Sequence, residues 1–257
     1  MLSLLHKGDK HMTTAKVLEF QAPQPQLDLI QGGTTTTKRR RTTATAYKSN
    51  GQPKATAADP IRDLADVTRI QTYYLERGNF RNYMMLTLGI SFALRAGDLL
   101  SLTLGDVYND NGQPKDHFYL HEEKTTKRRK VNITPKCRQI LAANWAELPR
   151  NSTMDDPLFP SRERDKVTGN RKPITIQRLN QILTQAQKDL GISDHMSSHC
   201  MRKTHAYQTI KQADYSQEAF YAMQYKLNHS DLRVTKIYCG IEDDMVRAMD
   251  EQADTWL

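Results

Sequence analysis

Apolar residues recur at three- and four-residue intervals along most of the chain after residue 58, which is the spacing of one helix face. The first such stretch follows Asp59-Pro60, an N-cap residue with a proline at the first helical position, and Gly78 can close this helix. A second, more apolar helix is predicted from Phe80 to Ala93. The remaining predicted helices span residues 135–147, 175–190, 199–211, 217–225, 231–238 and 242–252.

Three short segments between these helices favour β-structure, namely residues 106–108, 117–120 and 130–133. Asn111-Gly112 and the basic run around Lys127 supply the turns between them, and loops are predicted at residues 155–157 and 169–173. The pattern therefore predicts a mainly α fold with a small three-stranded antiparallel sheet (α+β), formed by residues 57–257.

Residues 1–56 lack this periodicity and are rich in threonine, glutamine, glycine and proline, so we expect a basic, largely disordered tail. The first 58 residues hold nine basic and three acidic side chains, a net +6 of the chain's total of +8. Two interpretations stay open for their densest basic cluster: an arm that lies along DNA phosphates, or a solvated tail. The cluster consists of Lys38, Arg39, Arg40 and Arg41.

The three cysteines, Cys137, Cys200 and Cys239, have no metal-ligand spacing and form an odd count, which is typical of proteins in a reducing compartment. No stretch approaches the roughly 18 apolar residues of a membrane span. Together with the sequence pI near 9.3, this favours a cytoplasmic protein associated with the nucleoid through a polyanionic partner such as DNA.

The candidate chemistry lies in five polar residues spread along the predicted helices. They are, in chain order, Arg95, His199, Arg202, His229 and Tyr238. A phenol surrounded by two guanidinium groups and two imidazoles has the groups needed to attack a phosphodiester: a nucleophile, cations for the phosphate oxygens, and proton carriers.

The order and local spacing of these residues resemble the tyrosine recombinase (phage integrase) family, over Asp59 to the end of the chain. The resemblance implies that Tyr238 attacks the scissile phosphate to form a 3′-phosphotyrosyl intermediate, without metal or ATP. It also implies that Arg95 and Arg202 bind the non-bridging oxygens. His199 would accept the tyrosine proton or hold the network in place, and His229 would donate to a phosphate oxygen.

In this family a lysine on the hairpin between the second and third strands protonates the leaving 5′ oxygen. Lys124 fits that position best and Lys127 is the alternative, because the sequence does not fix the strand register. We expect Asp98, one turn after Arg95, to support an arginine. The residues expected to contact DNA are Lys38, Arg39, Arg40, Arg41, Lys127, Arg128, Arg129 and Lys130.

Two positions depart from the family pattern without removing a catalytic group. Asn228 stands where a glycine usually precedes the histidine, and we expect a positive φ there, which asparagine tolerates. Ala93 stands where a glycine is common before Leu94-Arg95.

The segment before the catalytic residues is shorter and more polar than the family's helical core-binding domain. The layout therefore resembles the small fimbrial phase-switch recombinases. The resemblance also implies a C-terminal helix, about residues 241–252, that docks into a neighbouring protomer and builds a homotetramer on paired double-stranded DNA sites. Its anchor face would comprise Ile241, Met245, Met249 and Trp256. The alternative is that this face packs on its own subunit; an accessory DNA-bending protein is also left open.

The function implied by the resemblance is site-specific DNA recombination, as integration, excision or inversion. Two alternatives remain. A type IB topoisomerase shares the attack chemistry but relaxes supercoils. A DNA-binding regulator could retain the fold without catalysis, although it would have no use for Tyr238.

Overall fold

Ten helices and two small β-hairpins form the part of the chain that the computed structural model describes, residues 58–122 and 128–256. The predicted tail at residues 1–56 lies outside these residues, as do Lys124 and Lys127. The first five helices are α1 (Leu64–Glu76), α2 (Phe80–Phe92), α3 (Ala96–Leu100), α4 (Leu104–Val107) and α5 (Pro135–Ala146). The others are α6 (Ile176–Leu190), α7 (Cys200–Gln212), α8 (Gln217–Leu227), α9 (Leu232–Cys239) and α10 (Glu242–Ala253).

Helix α2 is the central element of the fold, because it is apolar on most of its circumference and packs against α1, α5 and α7. Gly89 on α2 allows the close approach of α7, since a Cβ atom at this position would lie 2.5 Å from the Met201 sulfur. The predicted bounds of this helix are confirmed to within one residue.

The start of α1 differs from the prediction. The helix begins at Leu64, and the carboxylate of Asp63 caps it by accepting a hydrogen bond from the Ala65 amide. Asp59 instead accepts a hydrogen bond from the His195 amide at 3.1 Å, so this carboxylate joins two distant segments. Gly78 follows the helix with φ +65°, as predicted.

Two hairpins replace the predicted three-stranded sheet. Strands β1 (His117–His121) and β2 (Arg128–Asn132) pair antiparallel, with Phe118 opposite Val131. The second hairpin pairs β3 (Pro160–Arg164) with β4 (Arg171–Pro173), where the sequence predicted a loop over residues 169–173.

Residues 106–108, predicted as the first strand, form a helical turn followed by a single bridge between Tyr108 and Pro114. The reason is a capping box: the Asp106 carboxylate accepts hydrogen bonds from the amide and the hydroxyl of Thr103, at 2.7 and 2.9 Å. This local pairing caps a helical turn at the residues where the sequence predicted a strand.

Buried side chains form two groups, a larger one around α2 and a smaller one among α7, α8 and α9. The smaller group contains Tyr207, Phe220, Leu227 and Ile241, and it holds α9 against α7. Because Arg202 is on α7 and Tyr238 is on α9, this packing brings the two residues together. None of the described helices has the length and apolar composition needed to cross a membrane.

Candidate active site

Arg202 is held by the main chain of two other helices. Its side chain is only 2% exposed, and its terminal nitrogens donate to the carbonyls of Ala93 at 2.6 Å and Leu227 at 2.7 Å. Ala93 ends α2 in the left-handed region, with φ +51° and ψ +38°, in the position where a glycine is common in the family. Burial lowers the pKa of Arg202 to about 10, so the group remains a cation at neutral pH.

Arg95 lies immediately before α3, beside the carboxylates of Glu122 and Asp98. Its Nη1 is 2.7 Å from Glu122 Oε2 and 3.9 Å from Asp98 Oδ2, and the Arg95 side chain is 22% exposed. Asp98 is buried and its carboxylate lies beside the Arg95 guanidinium, where it can support this arginine as the spacing predicted. Unlike Arg202, Arg95 retains a solvent-facing portion.

Glu122 was missed by the sequence analysis, yet it lies at the centre of the site. Its residue exposure is 0%, and its carboxylate accepts from Arg95, from Arg129 Nη1 at 3.3 Å and from Asn228 Nδ2 at 2.9 Å. We call these four residues the Glu122 cluster. It connects the end of β1 with β2, the start of α3 and the end of α8.

Arg129, predicted as a DNA contact, points into the protein. Besides Glu122 it donates to the carbonyls of Phe92 at 3.0 Å and Ala93 at 3.4 Å. Side chains alternate between the two faces of a strand, and its neighbours Arg128 and Lys130 are exposed. That alternation was available in the sequence and could have separated Arg129 from the other two.

His229 follows Asn228, whose φ of +55° agrees with the expected left-handed conformation. The His229 Nδ1 lies 3.0 Å from the hydroxyl of Thr235, a fully buried residue on α9. Burial, together with the nearby Arg202 and Arg95, lowers the pKa of His229 to about 4, against the opposite effect of Glu122. The imidazole is therefore neutral at neutral pH.

Tyr238 lies near the end of α9 with its ring half-buried. Its ring centroid is 5.2 Å from that of His229 in an edge-on arrangement, and the Lys203 ammonium is 5.4 Å from the same centroid. Burial raises the pKa of Tyr238, and the Arg202 guanidinium opposes this shift. Among the described residues, no group makes a hydrogen bond of normal geometry to its buried hydroxyl oxygen.

His199 is exposed and immediately precedes α7, one turn before Arg202. Arg128 and Lys130 are also exposed, and the Arg128 guanidinium lies 4.1 Å from the Tyr119 ring centroid. The other predicted site residues lie outside the described part of the chain: Lys38, Arg39, Arg40, Arg41, Lys124 and Lys127.

A groove between β2 and α8 adjoins the site at His229. Arg128, Lys130 and the partly buried His205 and Lys226 line it. Burial lowers the pKa of His205 to about 3 and that of Lys226 to about 8. At neutral pH the groove thus combines three cations, Arg128, Lys130 and Lys226, with a neutral His205.

Comparison with known sequences gives the family that the order of the motifs resembles. Residues 38–244 match the model of the phage integrase family. The probable integrase/recombinase YoeC of Bacillus subtilis (strain 168) is 32% identical over 189 residues, spanning 74% of this chain and 93% of YoeC. The tyrosine recombinase XerC of Neisseria meningitidis serogroup C / serotype 2a is 25% identical over 174 residues, spanning 67% of this chain and 51% of XerC.

Solved structures share the fold at low sequence identity. The crystal structure of XerA recombinase gives a TM-score of 0.58 at 19% identity, covering 77% of this chain and 66% of that one. The XerH site-specific recombinase bound to a palindromic difH substrate gives a TM-score of 0.55 at 16% identity, covering 82% and 61%. The chain thus spans nearly all of YoeC but only about half of XerC.

Proposed function

This chain belongs to the phage integrase family of tyrosine site-specific recombinases, and from that premise we propose that it cuts and rejoins double-stranded DNA through a 3′-phosphotyrosyl intermediate. The observation that carries the proposal is the convergence of Tyr238 with Arg202 and His229 at the junction of α7, α8 and α9. A pure DNA-binding regulator would not need a half-buried phenol beside a buried guanidinium.

The proposed nucleophile is the Tyr238 hydroxyl. Because burial raises its pKa, the group is a neutral phenol at rest and must lose its proton as it attacks. The new bond joins the phenol oxygen to phosphorus, and the bond from phosphorus to the 5′ oxygen breaks. His199 takes the phenol proton or supports its transfer, and Lys124 supplies a proton to the 5′ oxygen.

Arg202 and Arg95 neutralise the charge that grows on the non-bridging oxygens. Arg202 has five N–H groups, and the two main-chain carbonyls fix its plane while leaving donors for a phosphate. Such preorganised donors contribute roughly 3–4 kcal/mol each to transition-state stabilisation. The Glu122 carboxylate orients the Arg95 guanidinium, as the two carbonyls orient that of Arg202.

His229 acts as a neutral donor in this proposal. If its Nδ1 accepts from the Thr235 hydroxyl, the proton resides on Nε2, which is then free to donate to a phosphate oxygen. The pKa of about 4 supports this form, since the imidazole carries one N–H at neutral pH.

For DNA binding we propose the exposed Arg128 and Lys130 on β2, together with the basic cluster at residues 38–41. Arg129 is left out, because its guanidinium is committed to Glu122 and to carbonyls.

We further propose a homotetramer assembled through α10, whose Met245 and Met249 are 45% and 68% exposed. Trp256, just beyond the helix, is 73% exposed. Ile241 is left out of this docking face, because it is 1% exposed and packs within its own subunit. The anchor face is therefore smaller than the sequence predicted.

The test uses nicked duplexes tiled across the DNA that flanks the gene, incubated with the wild type and with Tyr238→Phe. A nick beside the cleavage point releases the 5′ fragment and traps the covalent adduct for a denaturing gel. An adduct that forms with the wild type and not with Phe supports the proposal. Binding without any adduct would favour a regulator. In a repeat on supercoiled plasmid DNA, relaxation without strand exchange would favour a topoisomerase.

A further inference from the structure

The carboxylate of Glu122 is a buried anion with donors from three separate segments. Arg95 approaches it at 2.7 Å from the start of α3, Arg129 at 3.3 Å from β2, and Asn228 at 2.9 Å from the end of α8. An ion removed from water is costly unless well-placed partners compensate it. Here each partner is fixed by its own element, so the carboxylate ties these elements into one geometry.

Each segment that meets at Glu122 carries a residue of the proposed site. Arg95 contacts it directly, and Asn228 directly precedes His229. In the sequence, Lys124 follows Glu122 by two residues. Arg129 and Arg202 also share the Ala93 carbonyl, which connects the Glu122 cluster to the second arginine.

The contact from Asn228 is specific to the side chain at this position. Its left-handed backbone would suit a glycine equally well, but a glycine has no side-chain amide to donate to Glu122. The asparagine therefore adds a tether between the His229 segment and the end of β1, where the chain leaves the strand toward the hairpin turn.

We propose that Glu122 is a positioning residue for the strand-transfer site, holding the Arg95 guanidinium and the Asn228-His229 segment in the geometry that receives the scissile phosphate. This inference rests on the proposed function. A purely structural carboxylate would affect folding alone. A positioning carboxylate affects the rate of the covalent step on DNA that is already bound.

The experiment measures adduct formation in single turnover at saturating nicked duplex, with DNA affinity and thermal midpoint determined separately, on the full chain. We expect Glu122→Gln to slow adduct formation at least tenfold, while the dissociation constant for DNA changes less than about threefold. Asn228→Gly should slow it about three- to tenfold, and the double variant should be no slower than Glu122→Gln. Glu122→Asp should recover part of the rate.

The matched control is Asp116→Asn, which removes a carboxylate just before the same strand. Asp116 is 84% exposed and pairs with Arg138 on the surface. Its adduct rate should equal that of the wild type. Equal rates for Glu122→Gln and wild type at saturating DNA would overturn the inference. So would a double variant whose rate loss equals the product of the fold-losses of Glu122→Gln and Asn228→Gly, because the two residues would then act independently.

A second measurement needs no catalysis. Nitrogen NMR of arginine side chains reports whether rotation about the guanidinium bonds is slow. We expect restrained Arg95 signals in the wild type that become averaged in Glu122→Gln. If Arg95 is equally mobile in both proteins, the inference is wrong even where the wild type forms an adduct. If Arg95 is restrained only in the wild type but no adduct forms, the proposed function is the part that fails.

Discussion

Replacement of Arg202 by lysine separates the two tasks that this residue performs. Arg202 is 2% exposed, and its guanidinium bridges the carbonyls of Ala93 and Leu227 at 2.6 and 2.7 Å. A lysine ammonium is a single point that cannot span both carbonyls, so at least one buried acceptor loses a charged partner. Each such hydrogen bond contributes roughly 1.5–3 kcal/mol. We expect the free energy of unfolding to fall by about 2–3 kcal/mol, or roughly 5–10 °C in Tm.

The matched control is Arg95→Lys. This side chain is 22% exposed, and an ammonium can retain its ion pair with Glu122, so the expected loss of stability is below about 1 kcal/mol. Both variants should lower adduct formation by about 10²–10³, the usual effect of removing one preorganised donor. Thermal and urea unfolding measure the difference. The reasoning is refuted if Arg202→Lys melts within about 2 °C of wild type, or if Arg95→Lys loses as much.

Three further predictions concern stability alone. Tyr238→Phe should leave the free energy of unfolding unchanged or raise it by up to about 1 kcal/mol, because no described residue makes a hydrogen bond of normal geometry to the buried hydroxyl oxygen; a clear decrease of Tm in a thermal melt would contradict this. Burial lowers the pKa of His205 from 6.5 to about 3, so the unfolded chain binds a proton that the native chain does not, and stability falls as pH drops through that window. His205→Gln should remove about 1–2 kcal/mol of the fall between pH 7 and 4.5 in urea titrations, and an unchanged pH dependence would exclude this cause. Gly112→Ala should cost about 2 kcal/mol or more, since φ is +80° and the added Cβ would clash with the Trp145 ring. Gly191→Ala, with φ +65° and open space around the Cβ, should cost only about 1 kcal/mol; equal losses would rule out the clash.

The helices were predictable where one side-chain pattern determines one local structure. Helix α2 has apolar residues on most of its circumference, and the structure confirms its bounds closely. The prediction was wrong where a residue suited to one local role is used elsewhere. Asp59 has the features of an N-cap, but its carboxylate receives the His195 amide from a segment far along the chain. Only the tertiary fold brings that amide near.

The site was also predictable in part, but from the order of its motifs and their resemblance to a family, not from local structure. The order of motifs gave Arg202, His229 and Tyr238, which the structure brings together. Glu122 was not predictable, because one of two adjacent glutamates in a polar turn has no distinctive sequence feature. Its importance arises from three donors that are separated by long stretches of sequence and converge only in the folded chain.

The two contacts that fix Arg202 are made to peptide carbonyls and not to side chains. A carbonyl is present at every residue, so the grip itself depends on the path of the backbone and not on a particular side chain. That path is left-handed at position 93, and the side chain at position 227 is fully buried, so each residue is restricted by its own surroundings and not by the arginine that it holds. A substitution that shifts the main chain at either position would therefore misplace the guanidinium without touching a catalytic side chain.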